Sequence, residues 1–186
     1  MPQLEDILAQ PFGSLPDLIA HHARQQPEHI ALIDGERVVT YAELDAQMNR
    51  VAAALQRDGI APNDVVAACA ATSAPYAELF LGALRAGVVI APLAPSATGE
   101  HLNAMLANCD AKLLFRDAAV AAEWPEPQTQ RRIALDESAA AGESFNRWLA
   151  PVGSVPAPIT PQPSWPFNLI YSSGTTGVPK GIIQSW

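Results

Sequence analysis

The chain has 186 residues, of which 49% are hydrophobic, and its formal net charge at pH 7 is -8. That length suits one domain with enough apolar content to bury a core. The acidic balance argues against a nucleic-acid partner, because binding a phosphate backbone needs a basic face. The N-terminal residues include Glu5 and Asp6 and no basic or long apolar run, so they do not read as a signal peptide. No stretch is long and apolar enough to span a bilayer. With two cysteines only, Cys69 and Cys109, a reducing cytoplasm is the simplest setting.

Residues 14–26 read as a helix capped by Ser14 and stopped by Pro27. Ile30–Asp34 and Arg37–Thr40 read as strands of a hairpin turning at Gly35 and Glu36. Thr40 and Glu43 have the spacing of a capping box, in which each side chain satisfies a free backbone N–H at a helix start. Leu44, Met48, Val51 and Leu55 then recur at helical spacing until Gly59. Residues 64–70 form an apolar run that reads as a buried strand, and Cys69 within it reads as a buried, inert thiol. A helix is expected over 74–86, a strand over 88–91, a helix over 98–108 and a strand over 112–115. Buried strands alternating with amphipathic helices define an α/β fold, a mostly parallel sheet flanked by helices.

From 123 to 142 the pattern is less regular; a strand is expected at 133–135 and a short helix at 145–149. Pro151, Pro156, Pro158, Pro161, Pro163 and Pro166 then remove backbone donors at close intervals, which predicts an extended connector. The expected organisation is therefore an α/β subdomain over 1–150, a Pro-rich connector over 151–166, and a strand–loop–strand over 167–186 that starts a second subdomain.

The candidate site lies in that last segment. Tyr171-Ser172-Ser173-Gly174-Thr175-Thr176-Gly177-Val178-Pro179-Lys180-Gly181 follows an apolar, β-prone stretch. Small residues expose backbone N–H groups, hydroxyls add donors and the lysine adds a full charge, which is how proteins hold polyphosphates. It is not a Walker loop, since Pro179 precedes the lysine and no Ser or Thr follows it. A turn into a second strand fits better, with that strand near 181–184. Spacing alone leaves a plain flexible loop as the competing reading.

Other constellations are weaker. His21, His22, His29 and His101 show no zinc spacing and read as solvent-facing. Ser172 and Ser173 lack a nucleophile elbow and a nearby histidine. Trp165, Phe167 and Tyr171 are explained by strand packing as well as by a base platform. No catalytic residue and no metal ligand is identified in the chain.

The run from Tyr171 to Gly181 resembles the phosphate-binding signature of the adenylate-forming superfamily, which includes acyl- and aryl-CoA synthetases, luciferases and peptide-synthetase adenylation domains. Two further segments agree. Leu84 to Pro95 is similar to the family's "L-x-A-G-x-x-x-x-P-L-x-P" segment, and Thr40-Tyr41-Ala42-Glu43-Leu44 to its "T-Y-x-E-L" helix start. The resemblance implies an N-terminal portion of an ATP-dependent, AMP-forming ligase that activates a carboxylic acid as an acyl-adenylate and passes it to coenzyme A. By the same resemblance Ser172, Ser173, Thr175 and Thr176 would meet the β- and γ-phosphates of ATP. Gly174 and Gly177 would permit the turn, and Lys180 would touch the γ-phosphate or brace the loop.

Ser172, Thr175 and the Ala94-Pro95 pair lean toward an acyl- or aryl-CoA synthetase rather than a peptide-synthetase adenylation domain. Trp186 stands where many relatives carry a histidine. The family's adenine-binding segment, its Mg2+ glutamate, its ribose aspartate and its C-terminal catalytic lysine have no counterpart in these residues. The chain alone is therefore expected to be inactive. A non-catalytic association module and an unrelated nucleotide hydrolase are the rival readings.

Overall fold

The computed structural model describes residues 4–9, 14–125, 127, 131–172 and 180–186. Two short helices, α1 (Leu4–Leu8) and α2 (Leu15–Gln25), lead into a hairpin of β1 (Ile30–Asp34) and β2 (Arg37–Thr40). The Ser14 hydroxyl caps α2 by accepting from the Asp17 N–H. At the start of α3 (Tyr41–Arg57) the capping box is closed: the Thr40 N–H donates to Glu43 Oε2 at 2.8 Å and the Glu43 N–H to Thr40 Oγ1 at 3.3 Å. The backbone and hydroxyl donors of Thr40 hold the Glu43 carboxyl below its usual range. Two bonds tie the hairpin to the next helix, α4 (Ala74–Arg85). Asp34 Oδ2 accepts from the Ala74 N–H at 2.8 Å, and Arg37 donates to the buried Glu78 carboxylate at 2.6 Å.

The remaining elements are β3 (Val65–Cys69), β4 (Val89–Pro92), α5 (Gly99–Cys109), β5 (Leu114–Arg116), α6 (Ala118–Glu123), β6 (Arg132–Ala134), β7 (Glu143–Ser144), α7 (Phe145–Trp148), β8 (Pro166–Ser172) and β9 (Lys180–Ser185). Seven strands form one sheet in the order β7-β6-β5-β3-β4-β8-β9. Every neighbouring pair is parallel except β8 and β9, which run antiparallel at the edge. The fold is thus the α/β arrangement that the alternating pattern predicts.

Parallel strands must be covered on both faces, and the side chains of β3 divide accordingly. Val66 and Ala68 join a core with Val51, Leu55, Leu79, Phe115 and Trp148, beneath α3, α4 and α7. Ala67 and Cys69 join the opposite core with Leu102, Met105, Leu106 and Trp124, beneath α5 and α6. On the first face α3 and α4 approach closely at Gly82, where a Cβ would lie 2.4 Å from Val51 Cβ.

Strand limits differ from expectation by a residue or two, as for β5, which starts at Leu114 rather than 112. Two helices, α1 and α6, and the short strand β7 were not anticipated. The α6 segment is alanine-rich, and Asp117 caps it by accepting from the Val120 N–H at 2.9 Å. One expectation is corrected. His21 is buried, only 8% exposed, because α1 lies over this part of α2, where Leu4, Glu5, His21 and Gln25 wall a common cavity. His29 and His101 are exposed as expected, and His22 is half-buried.

The stretch after α7 contains no helix or strand before β8. It is held to α3 by Gln56, whose amide exchanges two hydrogen bonds with the backbone of Ala157, at 2.9 and 2.8 Å. Nearby, Asp58 collects three donors: Trp148 Nε1 and Arg131 Nη1, each 2.7 Å from Oδ2, and Arg57 Nε, 3.1 Å from Oδ1. Burial pushes the Asp58 carboxyl up, but the bonds from Arg57, Trp148 and Arg131 outweigh it and leave the group below its ordinary value.

Asp58→Ala should destabilise the chain by about 1–3 kcal/mol, because it leaves the buried Trp148 N–H without an acceptor; urea unfolding measures this. Since the folded-state pKa is the lower one, the Asp58 contribution is present above the unfolded carboxylate value. It is lost as pH falls through the folded value. The gap between wild type and Asp58→Ala should therefore narrow on acidification below about pH 4.

Candidate phosphate-binding site

The ribbon made by β8 and β9 carries the candidate site. β8 runs parallel to β4, with Ile90 opposite Asn168, so its carboxyl end points the same way as those of β3, β4 and β5. In open α/β sheets ligands bind in the crevice outside the carboxyl ends of the strands. The β8–β9 ladder finishes at that end with Tyr171 opposite Gly181 and Ser172 opposite Lys180. The two described site residues are thus brought together as one cross-strand pair, and both are exposed. Ser173, Gly174, Thr175, Thr176 and Gly177, with Val178 and Pro179, lie outside the described residues.

Beside this pair is a cavity of about 270 Å³. Its walls are the turn after β4 (Ala94, Ser96, Ala97), α5 (His101, Met105) and the end of β8 (Tyr171, Ser172). The segment that resembles the "P-L-x-P" motif therefore shares a cavity with the first hydroxyl of the loop. Sequence spacing did not connect them; parallel pairing of β4 and β8 does.

Tyr171 fixes one wall. Its hydroxyl lies 2.7 Å from Asn108 Oδ1 and 3.1 Å from the Met105 carbonyl oxygen, as the donor to both. Burial, with the Cys109 thiol beside it, pushes the phenol well above its usual pKa, so it stays a neutral donor. The three aromatic residues do not form a base platform. Trp165 lies near Gly87, Phe167 meets the Trp186 ring at 5.8 Å, and Tyr171 packs toward α5. Trp186 follows the far end of β9, about 20 Å of extended strand from Lys180.

Among the described residues no three His, Cys, Asp or Glu side chains come together as a metal site. A magnesium ion carried by a nucleotide takes most of its ligands from phosphate oxygens and water, and no magnesium ligand is assigned among the described residues. None of the described helices is long and apolar enough to cross a membrane.

The AMP-binding enzyme family matches residues 19–185, and the chain belongs to that family. It is 32% identical over 166 residues to the fatty acid–[acyl-carrier-protein] ligase ScoC of Streptomyces coeruleorubidus, covering 87% of this chain and 31% of the relative. It is also 30% identical over 176 residues to a dimodular nonribosomal peptide synthase of Bacillus subtilis, covering 93% of this chain and 7% of that protein. The apo structure of MbtA from Mycobacterium smegmatis superposes with a TM-score of 0.77 at 32% identity, over 92% of this chain and 33% of that one. The chain thus spans a third or less of the length of these relatives, and its match fits an N-terminal portion.

Both cysteines are buried. Burial pushes the Cys69 thiol up to about 12, with Asp117 adding to the effect, and it raises Cys109 as well. Neither should react with a water-soluble disulfide reagent at pH 8 in the native chain, whereas both should react fully in denaturant. Rapid native labelling of either thiol would contradict this placement.

Proposed function

We propose that the parent protein of this chain is an ATP-dependent, AMP-forming acid–thiol ligase, and that residues 172–180 hold the phosphates of ATP. The observation that carries the reading is the pairing of Ser172 with Lys180 at the carboxyl end of β8, within a family named for AMP binding. In this reading residues 1–150 supply the supporting subdomain, 151–166 connect, and 167–186 open a second subdomain.

The chemistry is an anion attacking a polyanion. A carboxylate oxygen bonds to the α-phosphorus of ATP, the bond to the β-phosphate oxygen breaks, and pyrophosphate leaves with its electron pair. An acyl-adenylate remains. A thiol then attacks the acyl carbon, gives up its proton, and releases AMP. The protein's task in the first step is to stabilise charge growing on pyrophosphate, for which fixed donors near the leaving group are the strongest means. Ser172, Ser173, Thr175 and Thr176 would donate hydroxyl hydrogen bonds. Gly174 and Gly177 would let backbone N–H groups approach, and Lys180 would supply the cation. Magnesium would add further charge neutralisation when bound.

Coenzyme A is the acceptor in the first reading, on the strength of Ser172, Thr175 and the Ala94-Pro95 pair. A carrier-protein thiol is the second, favoured by the likeness to a fatty acid–[acyl-carrier-protein] ligase and to a nonribosomal peptide synthase. Offering both acceptors to the adenylate-loaded parent protein, and following AMP release, separates them.

Lys180→Ala in the full-length parent should slow adenylate formation more than it weakens carboxylate binding, because the lysine charge matters most as pyrophosphate departs. The loss should be smaller than the roughly 2.7–4 kcal/mol that removal of a single oxyanion donor costs elsewhere, since neighbouring donors share the charge. Arginine should not fully restore the rate, as its planar fork differs from a compact ammonium. Pre-steady-state adenylation at saturating ATP is the test. An unchanged rate in Lys180→Ala would assign the lysine a bracing role only.

A further inference from the structure

We infer that Tyr171 and Gly181 form a latch that sets the position of the Ser172–Lys180 rung against α5, which makes Tyr171 a positioning residue and gives the last glycine of the motif a role distinct from phosphate contact. The inference rests on the reading of residues 172–180 as a polyphosphate site.

Tyr171 and Gly181 face each other across the β8–β9 ladder, one rung inside the Ser172–Lys180 pair. They therefore adjoin both residues that flank the loop. By the alternation of a strand, Tyr171 shares its face with Leu169, and both pack against the core beneath α5. The ring lies against Gly181: a Cβ there would sit 3.3 Å from Tyr171 Cε1, 3.5 Å from its Cζ and 3.1 Å from Leu169 Cδ1. Any side chain at this position would press on the ring, whose hydroxyl must reach the Asn108 and Met105 oxygens. The bare backbone of Gly181 is the seat that lets the ring lie in that place.

The other end of the latch is firm. Leu102, Met105 and Leu106 of α5 are buried in the sheet's core, and Thr98 caps the helix by accepting from the His101 N–H at 3.3 Å. β8 needs such an anchor, since its register with β4 rests on the single pair Ile90 and Asn168, while every residue of β9 is exposed. Fixing the ribbon before a ligand arrives removes part of the ordering cost of binding.

The test uses this chain and inorganic pyrophosphate as the probe, with affinity read by calorimetric titration well below the melting temperature of each variant. Wild type should bind, and Lys180→Ala should bind more weakly. Tyr171→Phe keeps the ring and loses the hydroxyl, and should weaken binding about 3- to 10-fold, the factor that one lost hydrogen bond supplies. Asn108→Ala, at an exposed position, should reproduce most of that loss. The double variant should add little to either single change, as expected for partners in one contact. Gly181→Ala should also weaken binding; if it fails to fold, the other two variants still decide. A bond that serves only stability would lower the melting temperature and leave the affinity unchanged. That result, with Lys180→Ala still defective, would overturn the latch alone. No binding by wild type, or no effect of Lys180→Ala, would remove the polyphosphate reading and the latch with it.

Discussion

β8 joins the parallel sheet along one edge of β4, and the position of the candidate site depends on that junction. Parallel pairing aims the strand's carboxyl end at the same side as β3, β4 and β5. A sheet of this kind holds only while helices cover both faces. The helix next to the junction is α5, whose buried Met105 packs in the same core as Leu169 and Tyr171. The same helix that seals the sheet also supplies the oxygens that receive the Tyr171 hydroxyl. Support of the fold and placement of the end of β8 are thus one set of contacts.

The electrostatics follow from locality. A chain with a net charge of -8 does not attract a polyanion at long range. Charges separated by more than about 8 Å at physiological salt are largely screened, however. What matters is the donor set within a few ångströms of the phosphates. Ser172 and Lys180 pair on the last rung of the ladder, and in the proposed reading both would meet the same phosphates. Such an arrangement suits a nucleotide held by a few short contacts and not a nucleic acid held by a broad basic surface.

Much of the architecture was legible because its signals are local. The Thr40–Glu43 capping box and the apolar run through Cys69 each announce an element by the chemistry of neighbouring residues, and the structure contains both. The missed elements had weaker or non-local signals. α6 is a short alanine-rich turn without an apolar stripe, recognisable mainly by the Asp117 cap. His21 looked like a surface residue because its cover, α1, is five residues long and carries little periodicity. For the site, composition marked the loop and nothing in the spacing revealed what anchors the strand that leads into it. The Tyr171 hydroxyl reaches across 63 positions to Asn108, a contact set by sheet order and invisible to any local pattern.

The end of the β8–β9 ribbon, held by the parallel sheet, is the polyphosphate site we propose. The most direct measurement is the change in backbone amide NMR signals of the chain on addition of ATP. Shifts should concentrate at residues 171–181, with smaller ones at 94–101 across the shared cavity and none on the β1–β2 hairpin. Shifts confined to other surfaces, or none at saturating ATP, would contradict it.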